Sequence, residues 1–307
     1  MKERIAITLT SFAEYDTRPM DTLKKRGLDI VSNAHRRTLA KGEIPELCAG
    51  CAGIIAGTEP YDSRTLAALS GLKVISRCGA GTDNVDLDAA GKMGIKVFNT
   101  PDGPTEAVAE LTVGLIFSLA RHIARSDRDI RNGVWNKRMG GLINGKKAGI
   151  VGFGRIGRRV AEILRALGAE VVFYDPLKAA EKAKGLSGVR LEELLKGSDI
   201  VTLHIPYTKD NHHVFSSKEL SLMKEGAVLI NASRGGIVDE EALYGALKSG
   251  RLSGAAVDVF EKEPYSGPLK ELDNVVLTPH IGSYARESRV SMELEAANNL
   301  IKGLGGR

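Results

Sequence analysis

The stretch AGIVGFGRIGRRVAEILRALGAEVVFYD, residues 148–175, constrains the fold more than any other part of the chain. An apolar run, Ala148–Phe153, leads into Gly152-x-Gly154-x-x-Gly157. Ile156, Val160, Ile163, Leu164 and Leu167 then recur on one face of a helix. Gly168 stands where a helix C-terminal glycine belongs. A second apolar run, EVVFY, ends on Asp175, at the roughly 20-residue distance where an acid meets a ribose in such units. Strand, glycine turn, helix, strand and acid in that order predict a parallel βαβ unit that cradles a dinucleotide. Gly152 makes the tight turn, Gly154 lets the backbone approach a pyrophosphate, and Gly157 permits close helix–strand packing. Arg155 and Ile156, in the first helical turn, join these as cofactor contacts. Asp175 accepts hydrogen bonds from a ribose diol and repels a 2′-phosphate, which favours NAD over NADP.

About half of the 307 residues precede this unit. That length suits two domains. Short apolar strands alternate with helical patterns before it, near Ile5–Leu9, Leu28–Val31, Gly53–Ala56, Val74–Arg77 and Lys96–Phe98. One long helical segment follows, from about Thr105 to Arg131. The alternation then restarts, with strands near Ile150, Val172, Ile200, Val228, Ala256 and Val276, and a helix over Ser283–Lys302 closes the chain. The fold class is α/β, with two doubly wound parallel-sheet domains.

Composition excludes more than it selects. Apolar residues at 43% and charged residues at 26% are those of a globular protein, and a net charge of +5 is too mild to imply nucleic acid or an anionic membrane. The run Leu111–Ala120 is about half of what a bilayer needs, and MKERIAITLTSF lacks the pattern of a signal peptide, so a cytoplasmic location is expected. Cys48 and Cys51 form a C-x-x-C with no second pair nearby, and read as core residues rather than a redox or zinc site. No cluster has metal-ligand spacing.

Three stretches at strand ends carry chemistry: NASRGGIVDEEAL with Arg234, AVDVFEKEP with Asp258 and Glu263, and LTPHIG with His280. In doubly wound sheets ligands lie beyond the carboxyl ends of strands. Arg234 can grip a carboxylate with two prongs, His280 can exchange a proton with a hydroxyl near neutral pH, and Glu263 can hold the imidazole. These are the needs of hydride exchange on a 2-hydroxy acid. His204 reads as structural or as a cofactor-side contact, and His212 and His213, in the polar loop TKDNHHV, as solvated.

VISRCGAGTDNVDLDAA, NTPDGPTEAVAELTVGLI, GIVGFGRIG, LHIPYT, LINASRGGIVDEEAL, AVDVFEKEP and LTPHIG together span most of residues 74–282. In these motifs and their order the chain resembles the D-isomer-specific 2-hydroxyacid dehydrogenases, most closely the 3-phosphoglycerate dehydrogenase branch, with the glyoxylate/hydroxypyruvate reductases next. The resemblance implies a flavodoxin-like substrate domain, residues 1–98 plus 285–307, and a Rossmann NAD-binding domain, residues 99–284, with substrate in the cleft. It implies Arg234, Glu263 and His280 as the catalytic set. Thr105, His204, Pro206, Ala232, Ser233 and Asp258 become cofactor contacts. Arg77, Ala80 and Gly81 become substrate contacts, together with Arg234 and His280. It also implies a homodimer and a small 2-hydroxy or 2-oxo acid as the substrate.

Two departures bear on that substrate. Gly57 stands where phosphoglycerate enzymes often carry an arginine, and Pro104 where many relatives have asparagine. Arg77 matches a phosphate-side arginine, so 3-phosphoglycerate dehydrogenase is the expected activity, with glyoxylate/hydroxypyruvate reductase as the alternative. A different class, an NAD-sensing interaction protein like the corepressors that share the fold, is the third reading. From Asp175 follows a prediction: the unmodified protein prefers NADH, and Asp175→Ala narrows its preference over NADPH by about tenfold. Steady-state kinetics with both cofactors checks this; equal efficiencies in the unmodified protein would sink it.

Overall fold

The computed structural model describes residues 2–177 and 185–305. The chain divides into two compact units, Met1–Pro104 with Ser283–Arg307, and Thr105–Gly282.

In the first unit, strands β1 (Arg4–Ile7), β2 (Asp29–Ser32), β3 (Gly53–Ala56), β4 (Val74–Arg77) and β5 (Lys96–Phe98) form one parallel sheet in the order β2-β1-β3-β4-β5. Between them run α1 (Arg18–Lys25), α2 (Glu43–Leu47), α3 (Ser63–Ala67) and α4 (Leu87–Lys92). Successive side chains of a strand point to opposite faces. Ala6, Ile54 and Ile75 therefore join one core, with Ile44 of α2, Leu66 of α3 and Ala90 of α4. Ile5, Ile7, Ile55 and Val74 join the other, with Leu23 of α1 and Met292, Ala296 and Leu300 of the C-terminal helix α11 (Arg286–Gly303). The last helix thus completes the first sheet. Cys48 and Cys51 are buried free thiols, and burial pushes Cys48 up to about 12, so neither is a reactive thiolate near neutral pH.

The contact division falls at Pro104/Thr105, where the sequence suggested 98/99. Residues 99 and 100 belong to the first unit through hydrogen bonds: Asn99 Nδ2 donates to the Ala80 carbonyl at 2.7 Å, and Thr100 Oγ1 accepts from the Gly79 N–H at 2.7 Å.

The second unit contains α5 (Thr105–Ala120), α6 (Ile123–Arg131), β6 (Lys147–Val151), α7 (Arg155–Ala166), β7 (Glu170–Tyr174), β8 (Ser187–Gly188), α8 (Leu191–Gly197), β9 (Ile200–Leu203), α9 (Ser217–Leu222), β10 (Val228–Asn231), α10 (Glu240–Lys248), β11 (Gly254–Val257) and β12 (Val275–Leu277). Its strands are parallel, in the order β12-β11-β10-β9-β6-β7-β8. Strand order reverses between β6 and β9, where Ala148 pairs with Ile200. Helices α5 and α7 cover one face, while α8, α9 and α10 cover the other. The central strands β9 and β11 are buried throughout, as strands with both faces covered must be.

One predicted element is broken in two. The helical pattern Thr105–Arg131 ends at Ala120 and restarts at Ile123, bent by 61°. His122 is left-handed at φ 53°. Gly141 donates its N–H to the Ala120 carbonyl at 2.8 Å, capping α5 with returning chain. Helix α5 buries seven residues and α6 none, so the apolar spacing runs on after the core has ended. Among the described residues no single helix is long and apolar enough to cross a membrane.

A buried ion pair ties α11 to the loop after β1. Arg289 donates to Glu293 Oε1 at 2.9 Å and to the Ser11 carbonyl at 3.2 Å, and Glu293 Oε2 accepts the Ala13 N–H at 2.8 Å. Burial outweighs these partners and holds the Glu293 carboxyl above its usual range. Removing one member of a buried pair strands the other, so Arg289→Ala should cost about 3–5 kcal/mol. Guanidinium denaturation measures it; a loss below about 1 kcal/mol would show that the pair does not hold the unit together.

Candidate active site

The second unit brings the sequence-predicted side chains to one edge of its sheet. Gly152 follows β6, Asp175 follows β7, His204 and Pro206 follow β9, Ala232, Ser233 and Arg234 follow β10, Asp258 follows β11 and His280 follows β12. All strands are parallel, so these are all carboxyl ends.

The glycine turn fits a dinucleotide on the chain's own geometry. Gly152 has φ 92°, a left-handed value that favours glycine, and its α-carbon packs on the His204 carbonyl at the point where strand order reverses. A Cβ on Gly157 would strike the Gly152 carbonyl, whereas one on Gly154 would meet nothing within 4 Å. Open space at the second glycine is what a close-approaching pyrophosphate needs. Gly154 caps α7 without a side chain, so no side chain takes that role at the helix N-terminus. Arg155 is exposed on the first turn, and Ile156 packs into the core beside α5. Asp175 ties the two strand ends together: Oδ2 accepts the Phe153 N–H at 2.8 Å, and Oδ1 the Leu177 N–H at 2.9 Å.

Two further predicted contacts carry buried polar atoms that find no partner among the described residues, Thr105 Oγ1 and His204 Nδ1. A buried polar group without a partner calls for a group to meet it, and at this edge a bound ligand could supply one. Burial pushes His204 down to about 3, so its ring stays neutral, with Nε2 3.0 Å from Thr202 Oγ1. The glycine turn, the uncapped helix and these two atoms fit NAD, which Gly152–Gly157, Thr105, Asp175 and His204 would hold. Pro206 and Ala232 lie on the same edge. The Pro206 carbonyl accepts from Asn211 at 2.7 Å, and Ala232 is buried.

The catalytic candidates are brought together. His280 Nδ1 lies 2.9 Å from Glu263 Oε2, and Glu263 Oε1 accepts the Phe260 N–H at 3.1 Å. Burial raises the Glu263 carboxyl, but the His280 hydrogen bond and charge, the Phe260 amide and the Arg234 charge outweigh it and bring it below its ordinary range. An ionised carboxylate only accepts, so Nδ1 carries the hydrogen and Nε2 is left for a reacting oxygen. Arg234 Nη1 donates to the Ser233 carbonyl at 2.7 Å, and Asn231 braces this turn by accepting from Ser233 and donating to the Arg234 carbonyl at 3.1 Å.

Asp258 is almost completely buried. It accepts from Thr278 Oγ1 at 2.6 Å and from the Ile281 and Gly282 N–H groups at 2.9 Å, while its carbonyl takes the His280 N–H at 2.8 Å. It therefore shapes the loop that holds His280 at a left-handed φ of 54°. That role, and the roles of Asn231 and Thr278, had no signal beyond their place at strand ends.

His212 is exposed, as the sequence suggested, whereas His213 is half-buried and engaged with its neighbours. Their rings stack with centroids 3.8 Å apart, and His213 Nε2 lies 2.7 Å from Glu261 Oε1. Polar neighbours in sequence did not reveal that this loop lies against the strand-end loops.

Of the remaining substrate candidates, Arg77 ends β4 in the first unit, and Ala80 and Gly81 follow it. Arg77 folds back and donates to the Cys78 carbonyl, lying over Gly79 rather than reaching outward. At the end of β3, Glu59 is buried and accepts from the Gly57 N–H at 2.9 Å, from Tyr61 at 2.8 Å and from Thr8. A Cβ on Gly57 would lie 2.7 Å from Glu59 Oε2. The space of a residue-57 side chain is filled by this carboxyl.

The family described as "D-isomer specific 2-hydroxyacid dehydrogenase, NAD binding domain" matches residues 113–282. The chain is 39% identical over 295 residues to a D-3-phosphoglycerate dehydrogenase of Archaeoglobus fulgidus, covering 93% of this chain and 55% of that protein. It is 43% identical over 256 residues to a glyoxylate reductase of Thermococcus litoralis, covering 80% of this chain and 77% of that one. Against the first of these it spans only about half the relative's length. A solved structure of a Thermus thermophilus protein superposes with a TM-score of 0.90 at 37% identity, over 99% of this chain and 97% of that one. The fold, the glycine turn and the strand-end loops agree with these likenesses: the chain belongs to the D-isomer specific 2-hydroxyacid dehydrogenase family, and its second unit is the family's NAD-binding domain.

Proposed function

We propose that this protein interconverts a D-2-hydroxy acid and its 2-oxo acid, and that the acid is short and unphosphorylated, of the glyoxylate or hydroxypyruvate kind. The reading is carried by the assembly of Arg234, Glu263 and His280 at one sheet edge, 2.9 Å between imidazole and carboxylate. NAD, when bound, supplies or accepts the hydride. His280 Nε2 gives a proton to the substrate oxygen in reduction and takes it back in oxidation. Glu263 stabilises the imidazolium, and Arg234 holds the substrate carboxylate in a two-pronged pair. Ala80 and Gly81 are assigned as carboxylate donors on the resemblance.

What supports the unphosphorylated acid is Glu59. Its carboxyl fills the space beside Gly57, the position where phosphoglycerate enzymes often carry an arginine, so no side-chain cation stands at that position. Arg77 supports the second reading, 3-phosphoglycerate, because it adjoins the Gly79–Gly81 loop. With NADH, kcat/KM for hydroxypyruvate or glyoxylate should exceed that for 3-phosphohydroxypyruvate by about tenfold or more. The reverse order would return the assignment to the phosphorylated acid. His280→Gln should lower kcat by about 100- to 10,000-fold while NADH still binds.

The same proposal includes a homodimer formed through the second unit. Ile123, Ile130, Trp135, Met139 and Leu142 are exposed along one segment, Trp135 at 82% and Met139 at 92%. Met139 and Leu142 also line a cavity of about 360 Å³ with Leu119, Val228 and Val276. Exposed apolar area of this kind marks an interface. Light scattering should give twice the chain mass for the unmodified protein, and Trp135→Ser with Met139→Ser should give the monomer. A monomeric unmodified protein at micromolar concentration would refute this.

A further inference from the structure

His213 is left-handed at φ 54°, a conformation that costs energy in a residue other than glycine and points to a constraint. Three contacts account for it. Its N–H donates to the Gly236 carbonyl at 2.7 Å, at the end of the loop that carries Arg234. Its Nε2 meets Glu261 Oε1 at 2.7 Å, two residues before Glu263. Its ring stacks on His212, whose Nδ1 lies 3.4 Å from the Tyr207 hydroxyl. The two loops also touch directly, since a Cβ on Gly235 would strike the Phe260 carbonyl. The Glu261 N–H is held from the other side by Glu240 Oε1 at 2.8 Å.

We infer that His213 is a positioning residue, a clamp that sets the Glu263 loop against the Arg234 loop and so aims the Glu263–His280 pair at a substrate held by Arg234. The inference rests on the catalytic reading given above. The physical argument is one of tolerance. The Arg234 turn is fixed from within by Asn231, whereas Glu263 is fixed by one backbone amide and by His280 itself. Without the Glu261 contact, the segment between Phe260 and Glu263 keeps the Gly235–Phe260 backbone contact, the Phe260–Tyr265 ring stack and the Glu240 hydrogen bond, but loses its side-chain tie to the His213 loop. A misplacement of about 1 Å in such a constellation costs about 100-fold at worst.

The test compares His213→Leu, His213→Gln and Glu261→Ala in the full chain, with His280→Gln in parallel. Glu261→Ala keeps an ordinary backbone and guards against a folding defect at the left-handed residue. His213→Leu and Glu261→Ala should each lower kcat for reduction by about tenfold, with the NADH dissociation constant, read by fluorescence, within about twofold. The alkaline limb of the kcat/KM pH profile should move toward acid, because a loosened Glu263 gives its partner less support. The groups facing His213 are His212 and Tyr207 on its own side, Asp239 and Glu240 at the start of α10, and Glu261. None of them is altered in His213→Gln, which keeps a donor for Glu261 and should restore most of the rate and the limb. A double variant, His213→Leu with Glu261→Ala, should be no worse than either single one. Unchanged kcat and pH profile in His213→Leu and Glu261→Ala, with His280→Gln inactive, overturns the clamp alone. Near-normal turnover of His280→Gln overturns the catalytic reading beneath it.

Discussion

Parallel strand pairing is the constraint on which the rest depends. In a parallel sheet every strand ends at the same edge, and each crossover must return through a helix on one face. Both faces of the seven-stranded sheet are covered by helices, so the loops at the carboxyl ends of its strands are left open to gather polar side chains. That is why a glycine turn after β6, an acid after β7, an arginine after β10 and a histidine after β12 share one edge although more than a hundred residues separate the first from the last.

Within that edge the electrostatics are arranged by pairs. Glu263 would be raised by burial, yet it is lowered because His280 and Arg234 face it. His204 has no such charged partner among the described residues and stays neutral. Asp258 is held above its usual range by burial, but four hydrogen bonds to its carboxylate and carbonyl make it a fixed point for the His280 loop. The carboxyl that meets the imidazole is thus favoured in its charged form, whereas burial works against charge at His204 and Asp258.

The first unit makes a complementary choice. Its sheet also ends in a row of loops, but the group buried at the end of β3 is an acid held by Gly57, Tyr61 and Thr8. Glycine at position 57 reads in sequence as a missing cation. The structure adds that a Cβ there would lie 2.7 Å from Glu59 Oε2, so a side chain at 57 would require the Glu59 carboxyl to shift.

The sequence alone determined the parallel α/β architecture, the glycine turn and the acid after β7, and it named the arginine, glutamate and histidine that the structure brings to one sheet edge. Those features are local: hydrophobic period, glycine spacing and order along the chain specify them. It also placed β3, β4 and β5 at their observed bounds. Only tertiary structure decided what depends on residues far apart. The helix over 105–131 breaks at His122 because returning chain at Gly141 caps α5, a contact that periodicity does not encode. His213 is drawn from a polar loop onto Glu261 because crossovers on the same sheet place loops separated by 48 residues side by side. Glu59 gave no sign of its burial, since its partners Thr8, Gly57 and Tyr61 meet only where β1 and β3 pair.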